Sequence, residues 1–265
     1  MKSTAADGDS GGIRAVSRAF RVLQAFSPER MSLGVAELVR ETGLPRTTVL
    51  RLVETLAAEG VLESGPDGQV RVGTRLIGLA AFSAAAWTVP EPSLARMRAL
   101  AAETGETVSL YVRKGLCRVV VGQAPSPNTL RHVVRPGDEL PLSVGSAAYV
   151  LLGLEAPDER DVLIDRVAAH SGTPGAAAPL RRGVAAAIAD GWAISHGQRE
   201  PGNTGLAVPI RPDDSDGTRV PARPVVLAIG GPTVRFTDDK IPGFVTAVRR
   251  CAEDIARTGL PPALY

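Results

Sequence analysis

At 265 residues, 44% hydrophobic and 22% charged, the chain has the length and balance for two soluble globular domains. Only 4% of it is aromatic, so the cores must be built from Ala, Val, Leu and Ile. The net charge is +2, and residues 13–78 also carry +2, from nine arginines against seven acidic residues; this excludes bulk charge as an argument for a nucleic-acid partner and leaves the case to side-chain placement.

Residues 1–12 are small, polar and rich in Gly and Asp, with no apolar stretch, and are expected to be a disordered tail rather than a signal peptide. Val16, Ala19, Phe20, Leu23 and Phe26 recur at three- and four-residue steps, predicting a helix over 14–26. Ser32 is placed to cap a second helix over 33–42, with Val35, Leu38 and Val39 inward and Gly43 ending it. Pro45 opens a third helix over 45–59, at a position that needs no backbone N–H. That helix buries Val49, Leu52, Val53 and Leu56. Strands over 61–63 and 69–72, joined by the turn-rich 64–68, form a hairpin.

An Ala- and Leu-rich helix over 74–87 follows, ended by Pro90 and Pro92, and is expected to link two domains. Its apolar stretch, 76–89, is too short to span a bilayer, so no membrane partner is expected and a cytoplasmic location is. Beyond it helices and strands alternate. A helix runs to 103, with strands over 107–112, 118–123 and 129–134, then helices over 145–154, 158–168 and 180–190. Strands over 192–195, 205–211 and 225–230 and a closing helix over 237–258 complete the order. Residues 212–224, rich in Asp, Ser, Gly and Pro, form an exposed loop. Cys117 and Cys251 lie far apart and are expected to be free thiols. The fold class is α+β in two domains, divided as 13–73, a linker over 74–91, and 92–260.

The order helix, Gly turn, helix, hairpin makes a winged helix-turn-helix. It projects the polar face of the third helix, with Pro45, Arg46, Thr47, Thr48, Arg51 and Thr55, toward a DNA major groove. Gln69 and Arg71 on the hairpin and Arg14 and Arg18 on the first helix are placed for backbone contacts. Helix-turn-helix units also occur in protein-binding domains. A face of Arg and Thr with no acidic residue before Glu54 favours double-stranded DNA.

The segments AVSRAFRVLQAFSPERMSLGVAELVRETGLPRTTVLRLVETLAAEGVLE and GQVRVGTRLIGLA resemble the DNA-binding half of the IclR family of regulators. GDELPLSVGSAAYVLLG, GWAISHGQREPGNTGLAVPI and VVLAIGGPTVRFTDDKI resemble its effector-binding half, in the same order along nearly the whole chain. The resemblance implies a linker helix leading to a GAF-like α/β domain. It also implies homodimers or tetramers, and promoter binding that responds to a small metabolite, commonly an organic acid. Leu76, Leu79, Phe82 and Trp87 are then candidates for dimer contacts, and equally for packing within one chain.

Gly145 and Ser146 open a helix just after Leu142, and their N–H groups suit a carboxylate, although a tight Gly turn has the same sequence. By resemblance the effector site also takes in Tyr149, Ser195, His196, Asn203, Gly205, Ala228 and Gly230. Several of these are smaller or less polar than in small-acid binders: Ser195 replaces an acid, Gly205 a cysteine, and Ala228 and Gly230 two serines. A roomier pocket and a larger or more apolar effector are therefore expected.

No cofactor or metal motif is present, and His132, His170 and His196 are scattered, so none is expected to act as a ligand or base. Two alternatives remain: an enzyme that hydrolyses esters or lactones, and a winged helix fused to a domain that oligomerises and senses nothing.

Overall fold

The computed structural model describes residues 13–211 and 221–265. The expected N-terminal tail and most of the expected loop at 212–224 lie outside the described residues. The chain divides into two compact units, Met1–Ala84 and Ala85–Tyr265, so the border falls inside the expected linker helix.

In the first unit, helix α1 (Arg14–Leu23) precedes strand β1 (Ser32–Gly34), helices α2 (Val35–Thr42) and α3 (Arg46–Ala58), and strands β2 (Leu62–Ser64) and β3 (Gln69–Val72). The core joins Val22 of α1, Leu38 of α2, Val49 and Val53 of α3, and Leu33, Leu62 and Val70 of the strands. Each such side chain contributes roughly 1.5–3 kcal/mol by leaving water, which is enough to fix α2 and α3 across the Gly43 turn.

Two expectations change here. Helix α1 stops at Leu23, not Phe26, and Val16 and Phe20 on it are exposed. Ser32 caps no helix. It pairs with Arg71 as the first residue of β1, which completes a three-stranded wing in the order β1-β3-β2. Leu33 must face the core beside Val70, and that requirement sets β1 in the sheet. Glu37 takes over the capping role, its Oε2 accepting the Gly34 N–H at 2.8 Å.

Helix α4 (Arg75–Trp87) has no buried residue, and Ile77, Leu79 and Phe82 are exposed. Trp87, at its end, packs instead against the core of the second unit.

That unit continues with α5 (Glu91–Thr104), β4 (Thr107–Lys114), β5 (Cys117–Ala124), β6 (Glu139–Pro141), α6 (Ser146–Gly153), α7 (Pro157–His170) and α8 (Ala177–Asp190). Strands β7 (Ala193–His196), β8 (Asn203–Ile210) and β9 (Val225–Pro232) and helix α9 (Ile241–Thr258) follow. The strands form one antiparallel sheet in the order β6-β5-β4-β9-β8-β7. Helices α5 and α9 cover one face over Leu110, Leu206, Leu227 and Ile229. Helices α6, α7 and α8 cover the other over Tyr111, Val120, Ala207 and Val226. A sheet buried on both faces needs apolar residues at both phases of the strand period, and β9 is buried from Val225 to Gly231. Cys251 is buried and Cys117 partly so, and both are free.

The strand expected over 129–134 does not form. Its carbonyls are taken by side chains: Thr107 Oγ1 donates to His132 O at 2.9 Å, Arg235 Nη2 to Leu130 O at 3.1 Å, and Gln123 Nε2 to Val134 O. Arg235 is itself held by the fully buried Glu106, through Nε–Oε1 at 2.5 Å and Nη2–Oε2 at 2.7 Å. This bidentate pair anchors the segment that carries His132 beside the sheet. Among the described residues no helix is long and apolar enough to cross a membrane.

Candidate DNA interface and effector cavity

Helix α3 begins after Pro45, whose carbonyl accepts the first helical hydrogen bond, from Val49 N–H at 3.0 Å. No side chain caps this end, so the N–H groups of residues 46–48 point out of the helix, where a phosphate can accept them. Pro45, Arg46, Thr47, Arg51 and Thr55 are exposed and Thr48 is half-buried. Thr55 Oγ1 donates back to Arg51 O at 2.8 Å, which ties that hydroxyl to its own helix. Gln69 is half-buried on the wing. Arg71 is engaged with Asp67 through two nitrogens, one at 3.2 Å, and this pair holds the Asp67 carboxyl below its usual range. Arg14 is exposed and Arg18 half-buried on α1.

In the second unit, strand register gathers a set of small and polar side chains under the start of α6. Ser195 pairs with Gly205, Gly205 with Gly230, and Ala228 with Ser109. With Tyr111 and Arg118 they line a cavity of about 50 Å³, closed by Gly145, Ser146, His132, Gln198, Arg199 and Asn203. Thus Gly145, Ser146, Ser195, Asn203, Gly205, Ala228 and Gly230 of the sequence-derived set come together.

Leu142, Tyr149 and His196 do not line it. Leu142 is fully buried core. Tyr149 is buried and reaches the cavity only through its hydroxyl, which donates to Gln198 Oε1 at 2.6 Å. His196 is exposed, with Nδ1 against Thr204 Oγ1 at 2.9 Å. Strand alternation explains this: Ser195 faces the cavity, so its neighbour faces away.

Gly145 has φ +102°, a conformation closed to residues with a Cβ, and a Cβ there would lie 3.1 Å from Arg118 Nη2. Its N–H donates to Gln198 Oε1 at 3.2 Å, and the Ser146 N–H donates to Ser195 Oγ at 3.0 Å. The amides expected to receive a carboxylate are therefore both met by neutral side-chain oxygens.

Sequence reasoning missed the charges. Arg118, on β5, is buried. Its Nη1 donates to Val144 O at 2.8 Å and to Pro141 O, and its guanidinium carbon lies 5.8 Å from the Tyr111 ring centre. Nε has no partner, and among the described residues no carboxylate pairs with it. Burial pulls this guanidinium down to about 10, so it is still charged at neutral pH. Arg199 adds a second cation, shared with Glu200 at 3.0 Å on the exposed side.

His132 lies over Gly230, where a Cβ would stand 3.1 Å from the ring. Its Nδ1 faces Asn203 Nδ2 at 2.8 Å and Arg199 Nη2 at 3.1 Å. Arg199 Nη2 also stands 3.4 Å from Nε2, and a guanidinium N–H at the ring needs an unprotonated nitrogen to accept it, which favours the neutral imidazole. Burial first, then Arg199 and Arg118, push His132 down to about 4. The signal available in the sequence was Arg118 itself, a charge at an inward position of the apolar run RVVVG.

These neighbours correct the expectation of a roomier, more apolar pocket. The space left by Gly230 is filled by His132. That above Gly205 holds Ser146 Oγ, 2.9 Å from where a Cβ would be. The cavity is small and cationic.

Two family profiles match the chain: the IclR helix-turn-helix domain over residues 15–66, and the bacterial transcriptional regulator IclR C-terminal domain over residues 87–257. The transcriptional regulator BhcR of Paracoccus denitrificans is 29% identical, over 94% of this chain and 88% of its own length. A crystal structure of an IclR-family regulator from Rhodococcus sp. is 38% identical, with both chains fully covered and a TM-score of 0.59. An IclR homolog from Microbacterium hydrocarbonoxydans, complexed with 4-hydroxybenzoate, is 26% identical over 92% of this chain and 98% of that one, at a TM-score of 0.71.

The His132 geometry has a measurable consequence. A histidine that stays neutral when folded but takes up a proton near pH 6.5 when unfolded lowers stability as pH falls from about 6.5 toward 4. The His132 ring resonance in an NMR titration is expected to turn near pH 4, and a midpoint near 6.5 would show that the ring is not buried beside Arg199 and Arg118 as described.

Proposed function

The chain belongs to the IclR family of bacterial transcriptional regulators, and on that premise we propose that its second unit senses a compact organic acid. One observation carries this reading: Arg118 is a buried cation, among the described residues, with carbonyls and an aromatic face around it but no carboxylate. Burying a charge without an opposite charge is costly, and a ligand carboxylate beside Gly145 offsets that cost. The Microbacterium homolog supports the class, since 4-hydroxybenzoate is a carboxylate.

Operator binding falls to the start of α3. Its open N–H groups meet a phosphate, Arg46, Thr47, Thr48 and Arg51 reach base edges or backbone, and Gln69 and Arg71 follow from the wing. Arg14 and Arg18 add backbone contacts from α1. The exposed Val16, Phe20, Ile77, Leu79 and Phe82 are apolar area of the kind that an association of copies buries. Dimers or tetramers with paired recognition helices on a partly symmetric operator follow from this. A regulator working in this way is placed in the cytoplasm. The family consists of transcriptional regulators, and the cavity is read as a sensor, not a catalytic centre.

Two measurements test the proposal. Arg51→Ala is expected to weaken specific operator binding by about 1–3 kcal/mol if it reads a base, and an unchanged gel shift removes it from the interface. Calorimetry with pyruvate, succinate and 4-hydroxybenzoate, each beside its neutral amide, is expected to show acids binding and amides not. Arg118→Met then weakens the acid by about 1.5–3 kcal/mol, the range for a hydrogen bond to a charged group. Amides that bind as well as acids contradict the reading.

A further inference from the structure

Gln198 is exposed on the short segment between Gly197 and Gly202, yet its amide oxygen is turned into the cavity. There Oε1 accepts both the Gly145 N–H and the Tyr149 hydroxyl. Those are two donors converging on one oxygen, in a cavity also lined by a buried guanidinium whose Nε has no partner and whose Nη2 stands 3.1 Å from where a Cβ on Gly145 would be. A neutral carbonyl oxygen satisfies the two donors and leaves the charge of Arg118 unanswered. A carboxylate oxygen in the same place keeps both hydrogen bonds, strengthens each by its charge, and answers the guanidinium.

Resting on the reading of this cavity as an organic-acid site, we propose that Gln198 is an internal stand-in for the effector. Its side-chain amide occupies the carboxylate's place in the unliganded protein, and the effector binds by displacing it.

This exchange supplies selectivity. A neutral ligand gains nothing at Gly145 that Gln198 does not already provide, so only an anion has a net advantage. It also lowers apparent affinity, because Gln198 must leave before the site is competent. Finally, it gives the cavity a moving part. Arg199 and Asn203, on either side of Gly202 in the same stretch of chain, both contact His132. Expelling Gln198 therefore disturbs the 197–202 segment and the Arg199–His132 contact together. Gly197 and Gly202, at φ +65° and +79°, bracket that segment with backbone that only glycine adopts readily.

The test uses the full chain with acetate and acetamide as probes at matched ionic strength, in wild type and Gln198→Ala. Acetamide replaces the group removed, and acetate replaces it with a charge. Calorimetry and thermal unfolding are expected to show acetate binding Gln198→Ala at least about fivefold more tightly than wild type, since the competing conformer is gone. Acetate is also expected to stabilise the variant more than acetamide does. Gln198→Glu places a carboxylate on the same arm. It is expected to melt above wild type at pH 7, to lose that gain as pH falls below about 4, and to ignore added acetate.

Equal acetate affinity in wild type and Gln198→Ala overturns the exchange while leaving the anion site standing. Acetamide as effective as acetate on Gln198→Ala, or binding of neither probe together with a Gln198→Glu no more stable than wild type, overturns the anion site as well.

Discussion

Arg118 places a positive charge inside the second unit, on the strand next to the β6 edge, under the first turn of α6. Two carbonyls hold its guanidinium, those of Pro141 and Val144, and both belong to the short run that leads into Gly145. The charge thus fixes the path of the backbone that presents the Gly145 and Ser146 amides. Position 145 is glycine because its φ of +102° is strained for any residue with a Cβ, and Arg118 Nη2, 3.1 Å from where that Cβ would be, tightens the space further. The polar side chains around the cavity follow from the same constraint. They are hydrogen-bonded neutral groups, Ser195, Gln198 and a neutral His132, and the nearest carboxylate on that segment, Glu200, is drawn to Arg199 on the exposed side.

Much of the fold was legible in the sequence because its signals are local. Helical periodicity, the Gly43 turn and the Pro45 start placed α2 and α3 within two residues of their ends. What failed depended on distant partners. Ser32 carries a good capping side chain, but Leu33 is claimed by Val70 across the wing and the cap passes to Glu37. Residues 129–134 have strand composition, but their carbonyls go to Thr107, Gln123 and Arg235, from three other elements.

The cavity shows the same division more sharply. Small residues at 205, 228 and 230 were visible in the sequence and read as empty space. The ring of His132, from the distant segment before β6, fills the space at 230, and Ser146 Oγ fills that at 205. His196 was included because it lies within the right segment, and strand alternation turns it away. Arg118 was marked in the sequence only as a charge within the apolar run RVVVG, and nothing in the spacing around Gln198 marks it. Only the sheet register and the α6 start bring both to the lining of one cavity. The proposed DNA-binding face rests on no such long-range information, since most of its residues lie on α3.

For a regulator, the effector matters only through its different affinity for two arrangements of the protein. The exchange at Gln198 supplies two such arrangements at the site itself, one with the amide in and one with it out. The most direct measurement is a crystal structure with the tightest-binding carboxylate from the acid series. The account predicts a carboxylate oxygen on the Gly145 N–H, beside Arg118, with Gln198 swung out. Density for the acid elsewhere, with Gln198 still bonded to Gly145, would contradict it.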